Sequence, residues 1–511
     1  MKFVLISLYD KGALGVRSLS SFLKSKGHDV FIVYFKENKP QYNTKERKKD
    51  GKVNHLQVDQ LGRDYILNYA EPPSKKEKEI FFKLIKKIDP ILVGFSVHTI
   101  ARATAIELTN MIKSKLNKFI IWGGIDATSS PEIAIKYADA VCIGEGEETL
   151  LEVGLKLEKN KSLEKVKGLW LRKNEEIIKN NQRSLVENLD VLPAPDFSSK
   201  NKFSINNDKL IVNDSSINND PGIYTIMTSR GCPFKCTYCC NSFLRGLYGG
   251  QKYLRRKSVK TVIEELKKAK KEHKIRYIDF YDEVFTFKKE WVKEFSKIYK
   301  TEIDIPFWCN VSPFFVDEDN LRSLKDAGLD SVTFGIQSGS KKILSDIYDR
   351  QTPVEEILKS ANILYKMNIP VFFDIITNNP FEDEEDCRKT FELLSKLPQK
   401  KKFMLGLAKL SFFPNTPIEN LLKEQKKKIS DEKMFEFWNR MYLLTQSYLP
   451  KRVLLNISRN KYFRNHPKFL NIFFIFSPSS LFIGVLLSIR RIFPTDFFNY
   501  IKSIKYNLMG K

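Results

Sequence analysis

The residues best suited to chemistry are Cys232, Cys236 and Cys239. They stand in Thr228-Ser229-Arg230-Gly231-Cys232-Pro233-Phe234-Lys235-Cys236-Thr237-Tyr238-Cys239-Cys240-Asn241, separated by three and then two residues. Thiolates held this close repel one another unless a metal neutralises them. A structural zinc takes four Cys or His ligands in paired hooks. Cys240 adjoins Cys239 too closely to close the same tetrahedron, and the nearest downstream histidine is His273. A 4Fe–4S cluster held by three cysteines leaves one iron open to a small ligand. Cys240 is given no role.

The C-x3-C-x2-C spacing, with Tyr238 just before the third cysteine, resembles the signature of radical S-adenosylmethionine (SAM) enzymes. That resemblance implies SAM chelated at the open iron and split by one electron into methionine and a 5′-deoxyadenosyl radical. It also implies cofactor contacts elsewhere. Tyr238 matches the position beside the adenine, and Asp282-Glu283 the segment near the SAM amino group. Gln337 and Ser338, in Gly335-Ile336-Gln337-Ser338-Gly339-Ser340, match a G-I-E-S-G-S stretch with an amide in place of the acid. Arg350 matches the arginine that meets the SAM carboxylate. Thr377-Asn378-Asn379-Pro380-Phe381-Glu382 stands where G-x-P-G-E is common, with both glycines replaced.

Elements must place these residues. Strands are expected over 224–228, 275–281, 306–311, 331–335, 371–376 and 404–410. The helices between them fall at 259–273, 288–300, 318–327, within 340–368 and at 384–396. Six strands with helical crossovers give a partial (β/α)6 barrel of the TIM type. Chemistry then sits at the carboxyl ends of the strands, where the cysteine loop follows the first one.

Upstream, strands over 3–7, 30–34, 91–96, 119–122 and 140–143 alternate with helices over 10–26, 75–88, 99–115 and 147–158. This α/β pattern predicts a doubly wound parallel sheet whose ligand binds at the strand ends. Asp10-x-Gly12-x-x-Gly15, Gly94 with Ser96, Gly123-Gly124 and Gly144-Glu145-Gly146 fall there. Their order resembles the cobalamin-binding domain that precedes many radical SAM cores. The best-known members carry D-x-H-x-x-G, whose histidine ligates cobalt, whereas Gly12 stands at that position here. The resemblance therefore implies cobalamin held without that ligand, or a fold kept after its loss. His98 follows a strand and faces the same crevice. Cys142, Cys309 and Cys387 read as packing residues.

The expected organisation is a cobalamin-binding domain over 1–155, a connector over 156–220, a radical SAM core over 221–430 and a helical, apolar region over 431–511. A hairpin is expected near 166–179, and Asn- and Ser-rich residues 199–220 read as a flexible loop. Lys and Arg number 86 against 61 Asp and Glu, a net charge of +25. Most of the excess is dispersed lysine, and no nucleic-acid signature accompanies it, so no nucleic-acid partner is expected. Seven cysteines, three in one loop, do not form a disulfide framework. The start enters a strand without a signal-peptide layout, so the expected location is cytoplasmic. The charge-free run 469–489 has basic flanks but is broken by Ser477-Pro478-Ser479-Ser480. It reads as interfacial helices at the inner face of the membrane, over 469–493, rather than a span.

Together these features imply a cobalamin-dependent radical SAM methyltransferase acting on an unactivated carbon of a small molecule. A lipid-like substrate and an electron donor of the flavodoxin or ferredoxin type are expected partners. A non-methylating enzyme of the same architecture, forming a ring or rearranging a skeleton, is one alternative. A cobalamin sensor with a degenerate core is another.

Overall fold

The computed structural model describes residues 1–41, 56–59, 62–214, 222–398, 403–426 and 431–476. The chain forms two compact units. The first contains residues 1–54, 66–332 and 411–425, and the second contains 55–65, 333–410 and 426–511. This division follows packing rather than the borders expected at 155, 220 and 430.

In the first unit, six parallel strands lie in the order Ala140–Cys142, Phe119–Gly123, Leu92–Ser96, Lys2–Leu8, Asp29–Phe35 and Lys202–Asn206. The chain order reverses between Lys2–Leu8 and Leu92–Ser96, which makes their carboxyl ends the switch point where such sheets bind ligands. Successive side chains alternate between faces. Phe3, Leu5, Ile32 and Ile121 pack under the helices Leu14–Ser25 and Glu147–Glu158. Val4, Ile6, Val93 and Trp122 pack under Lys75–Ile88 and Arg102–Leu116. Both faces are covered, as a parallel sheet requires.

Antiparallel hairpins extend both edges: Leu169–Lys173 with Glu176–Lys179, and Lys202–Asn206 with Lys209–Val212. The second corrects the flexible loop expected over 199–220, of which 215–220 lie outside the described residues. Composition hid it because the buried members include Lys202 and Ser204. Lys202 is accommodated by the Asp196 carboxylate at 3.4 Å, and Ser204 hydrogen-bonds Asp214. A paired polar group is tolerated where a lone one is not.

The expected barrel strands follow in order. Ile223–Ile226, Tyr277–Phe280 and Phe307–Val311 pair in parallel in the first unit. Leu329–Gln337 then carries the chain into the second. There Val371–Thr377 and Phe403–Lys409 pair in parallel, and Leu56–Val58 adds antiparallel to the latter. This strand, Leu56–Val58, falls where no strand is expected from the sequence. Glu432–Leu444 follows as a nearly wholly buried helix centred on Trp438. Pro467–Phe476 forms 3-10 turns, and the rest of the expected interfacial stretch, 477–493, lies outside the described residues. Among the described residues no helix is long and apolar enough to cross a membrane.

The second unit encloses a polar core. Asn439 accepts from Thr377 and donates to Asn378 at 3.1 Å, and Asn379 donates to the Tyr348 hydroxyl at 3.2 Å. Glu382 keeps a partly accessible edge, yet lies deep among second-unit atoms. That burial, with the nearby Asp386 charge, pushes its carboxyl up to about 8. A raised folded-state pKa means the folded chain keeps a proton that the unfolded chain releases above about 4.5. The resulting stabilisation is complete at acid pH and is lost as pH rises through about 8. Unfolding by urea should therefore become easier by a few kcal/mol between about pH 5 and about pH 9. Glu382→Gln should remove most of that dependence.

Candidate cofactor and cluster site

The cysteine loop leaves the first barrel strand at Met227. Ser229–Arg230 pairs antiparallel with Arg255–Arg256, which fixes the direction of departure. Asp282, wholly buried, accepts from the Thr228 N–H at 3.1 Å, the Thr228 hydroxyl at 2.8 Å and the Ser229 hydroxyl. Arg256 stands 3.7 Å away and is itself held by the Phe285 and Phe287 carbonyls. Asp282 thus anchors the root of the loop.

Cys232 and Cys236 are buried, and Cys239 caps the helix Cys240–Leu247, with its N–H bonded to the Cys236 carbonyl at 3.0 Å. Arg245 reaches back to the Cys232 carbonyl. Cys239 ionises more readily than Cys232. A hydrogen bond from the Cys240 thiol, against the cost of burial, brings it down to about 7. Burial instead pushes Cys232 up to about 12, with the Glu283, Cys239 and Cys236 charges adding to the effect. Bound iron would supply the positive charge that ionises it.

Among the described residues no three Cys, His, Asp or Glu side chains converge on one ion position. A cubane does not require that convergence, because each thiolate binds its own iron. Three thiols on one loop, close enough to perturb one another, fit such a cluster. Beside them, Asn241 donates to the Cys239 sulfur at 3.6 Å, accepts from the Tyr253 hydroxyl at 2.7 Å and also engages Glu283. Glu283 is exposed, and its charge acts on both Cys232 and Cys239. Tyr238 lies half-exposed immediately before Cys239.

At the switch point of the first sheet is a cavity of about 510 Å³. Gly15, Gly94, Ser96, Gly123, Gly124, Gly144, Glu145 and Gly146 all line it, as expected of the glycine pattern. Two glycines have a direct physical requirement. Gly124 has φ 88°, and a Cβ there would lie 2.9 Å from the Val97 backbone. Gly144 has φ 79°, and a Cβ would lie 1.9 Å from the Tyr248 hydroxyl, which accepts the Glu145 N–H at 2.8 Å.

Asp10 and Gly12 do not line the cavity. Asp10 accepts the Ala13 N–H at 3.0 Å, and the Gly12 carbonyl accepts from Arg17 at 3.2 Å. The other Asp10 oxygen lies 3.9 Å from the ring of half-exposed His98. Most of the remaining wall is apolar, from Leu14, Leu19 and Phe22 to the connector residues Leu189, Leu192 and Pro193, with Ser18, Glu147, Arg230 and Lys257 as its polar members. A slot floored by glycines and walled by aliphatic groups fits the flat heterocyclic base of a cobalamin tail.

The structure also reveals residues that sequence reasoning missed. Glu145 meets Arg255 at 2.5 Å and Arg230 at 3.3 Å, and Arg230 meets Glu147 at 2.5 Å. Arg230, two residues before Cys232, thus ties the cluster loop to the cavity wall. The Pro-rich connector 188–195 was read only as a link, and its hydrophobic spacing was the available signal.

In the second unit Gln337, Ser338 and Arg350 are brought together. Gln337 has φ 73°, a costly value for a residue with a Cβ. Its amide and the Arg350 guanidinium crowd Gly335, whose carbonyl accepts from Arg350 at 2.8 Å. Ser338 is wholly buried against Thr390. Asn378, where a glycine is common, has φ 55°, so asparagine replaces glycine in the conformation it best tolerates.

Single replacement of Cys232, Cys236 or Cys239 by alanine should cut bound iron after anaerobic reconstitution from about four per chain to near zero. Cys240→Ala should leave it unchanged, and iron determination distinguishes the two groups.

Residues 226–394 match the model of the Radical SAM superfamily. Over 322 residues the chain is 32% identical to an uncharacterized methyltransferase of Pyrococcus horikoshii, covering 62% of this chain and 66% of that one, just under two thirds of its length. It is 25% identical over 451 residues to the cytidylyl-2-hydroxyethylphosphonate methyltransferase of Streptomyces wedmorensis, covering 80% and 77%. Two solved structures share the fold. The radical SAM methyltransferase TsrM of Kitasatospora setae has a TM-score of 0.59 at 15% identity, covering 83% of this chain and 78% of that one. The cobalamin-dependent SAM radical enzyme OxsB has 0.61 at 16%, covering 96% and 75%. Residues 226–394 thus carry a Radical SAM domain, and the cysteine loop and the glycine-floored cavity lie in one unit of a fold shared with those two structures.

Proposed function

We propose that this chain is a cobalamin-dependent radical SAM methyltransferase acting on an unactivated carbon of a small molecule. The observation that carries this reading is the shared wall between cavity and cluster loop. Arg230 and Met227 from the loop and its strand line the same cavity as Gly94 and Gly124. When bound, cluster and cobalamin would supply an electron to split SAM and a transferable methyl group. The chain's own residues do the rest. Cys232, Cys236 and Cys239 hold the cluster, and Asp282 and Arg256 fix the loop. Glu283 and Asn241 present polar atoms beside it for the SAM amino group, while Arg230 with Glu145 and Glu147 keeps the loop in register with the cavity.

With anaerobically reconstituted protein, SAM, reductant and cobalamin, 5′-deoxyadenosine and S-adenosylhomocysteine should both form. Cys236→Ala should lose the deoxyadenosine. Deoxyadenosine without S-adenosylhomocysteine in the presence of substrate would reject methyl transfer in favour of a non-methylating radical reaction. The net charge of +25 suits an acidic donor of the flavodoxin or ferredoxin type.

Peripheral membrane contact is a second part of the proposal. Phe469 and Ile472 are 57% and 60% exposed beside Lys468, an apolar patch next to a basic residue. Aspartate at both positions should weaken co-sedimentation with anionic vesicles by several-fold. Equal sedimentation of variant and parent would remove this part.

A further inference from the structure

The three barrel strands of the first unit are asymmetric. One face is packed: Tyr224, Ile226, Ile278, Phe280, Phe307 and Cys309 are buried, and an aromatic cluster of Phe280, Phe285, Phe295 and Tyr299 seals it against the helix Lys289–Glu302. The opposite face carries Thr225, Asp279 and Trp308 side by side in the strand register. Tyr281 stands one step further along, its ring 5.4 Å from that of Trp308. Met227, above Thr225, also lines the cavity of the first sheet. Tyr281 feels the charges of both Asp279 and Asp10, which puts it at the meeting of the two regions.

Asp279 is anomalous. Its side chain makes no hydrogen bond and no ion pair with the described residues, and burial alone pushes its carboxyl up to about 6. In a protein with 86 lysines and arginines, none among the described residues acts on this carboxylate. A desolvated carboxylate without a partner is costly, and a bound cation removes that cost while keeping the group ionised. Asp282, three residues on, shows what a structural acid looks like here, with every oxygen engaged. Trp308 and Tyr281 supply ring faces that attract positive charge and repel anions.

We propose that this face is the substrate site and that the substrate carries a cationic nitrogen, received by Asp279, with its carbon skeleton against Trp308 and Tyr281. This deepens the proposed function and rests on it. It selects an amine, amidine or quaternary ammonium compound over a phosphate, a carboxylate or a neutral lipid.

The test uses anaerobically reconstituted holoenzyme and three probes that share one ring: phenethylamine, 2-phenylethanol and 3-phenylpropionate. Binding is read by calorimetry and saturation-transfer NMR. The amine should bind about tenfold more tightly than the alcohol, and the propionate more weakly than either. Asp279→Asn should bring amine and alcohol within about twofold, with iron content and melting temperature retained. Trp308→Leu should weaken amine and alcohol together while keeping their order. Equal binding of the three probes, preference for the propionate, or an amine preference that survives Asp279→Asn would each overturn the proposal. Deoxyadenosine is measured in the same samples. Its absence from the unaltered protein would overturn the radical SAM reading, while the probe series would still decide the charge that the face accepts.

Discussion

A single buried carboxylate fixes where the cysteine loop begins. Asp282 is closed off from water, so its charge must be satisfied by protein groups, and the ones available are Thr228, Ser229 and Arg256. Removing one partner of such a pair leaves a buried charge at a cost of about 3–5 kcal/mol. The loop root therefore has little freedom, and Cys232 begins from a fixed point. Arg256 is pinned in turn by two carbonyls and by the Trp291 ring 4.0 Å away. The reactive segment hangs from a rigid peg rather than from a flexible turn.

A second set of charges extends that rigidity to the first sheet. Glu145 is more than a cavity residue. Its carboxylate is held well ionised by Arg255 and Arg230 despite the opposing cost of burial, and its N–H is taken by Tyr248. Tyr248 fills the space that Gly144 leaves empty. The cavity and the cysteine loop are thus fixed relative to each other by partners drawn from both.

What was legible in the sequence is what local chemistry dictates. The cysteine spacing, the strand–helix alternation and the glycines at strand ends each reflect a constraint satisfied within a few residues. Helices such as Glu147–Glu158, Glu318–Ala327 and Glu384–Lys396 matched their expected bounds. The ion pairs of Arg230 and Arg255 were invisible because their partners lie in a different domain of the sequence. The Lys202–Asn206 strand was missed because its buried positions hold polar groups neutralised from afar. Asp282 and Glu283 looked alike as adjacent acids at a strand end; only burial separates the anchor from the available one.

The strand Leu56–Val58 has a consequence for how the chain is made. It belongs to the second unit, whose next residues begin at 333. A ribosome working at 5–20 residues per second needs on the order of tens of seconds to deliver the intervening chain. Throughout that time the strand emerges early and waits without its partner Phe403–Lys409, an unpaired edge with Leu56 and Val58 unburied. Loop-closure entropy for a connection of this length delays the pairing further. The nascent protein therefore passes through a long interval in which this strand can pair with Asp64–Tyr69 on one side while its other edge stays open. Synthesis of this chain should lean on a chaperone that shields exposed β-edges.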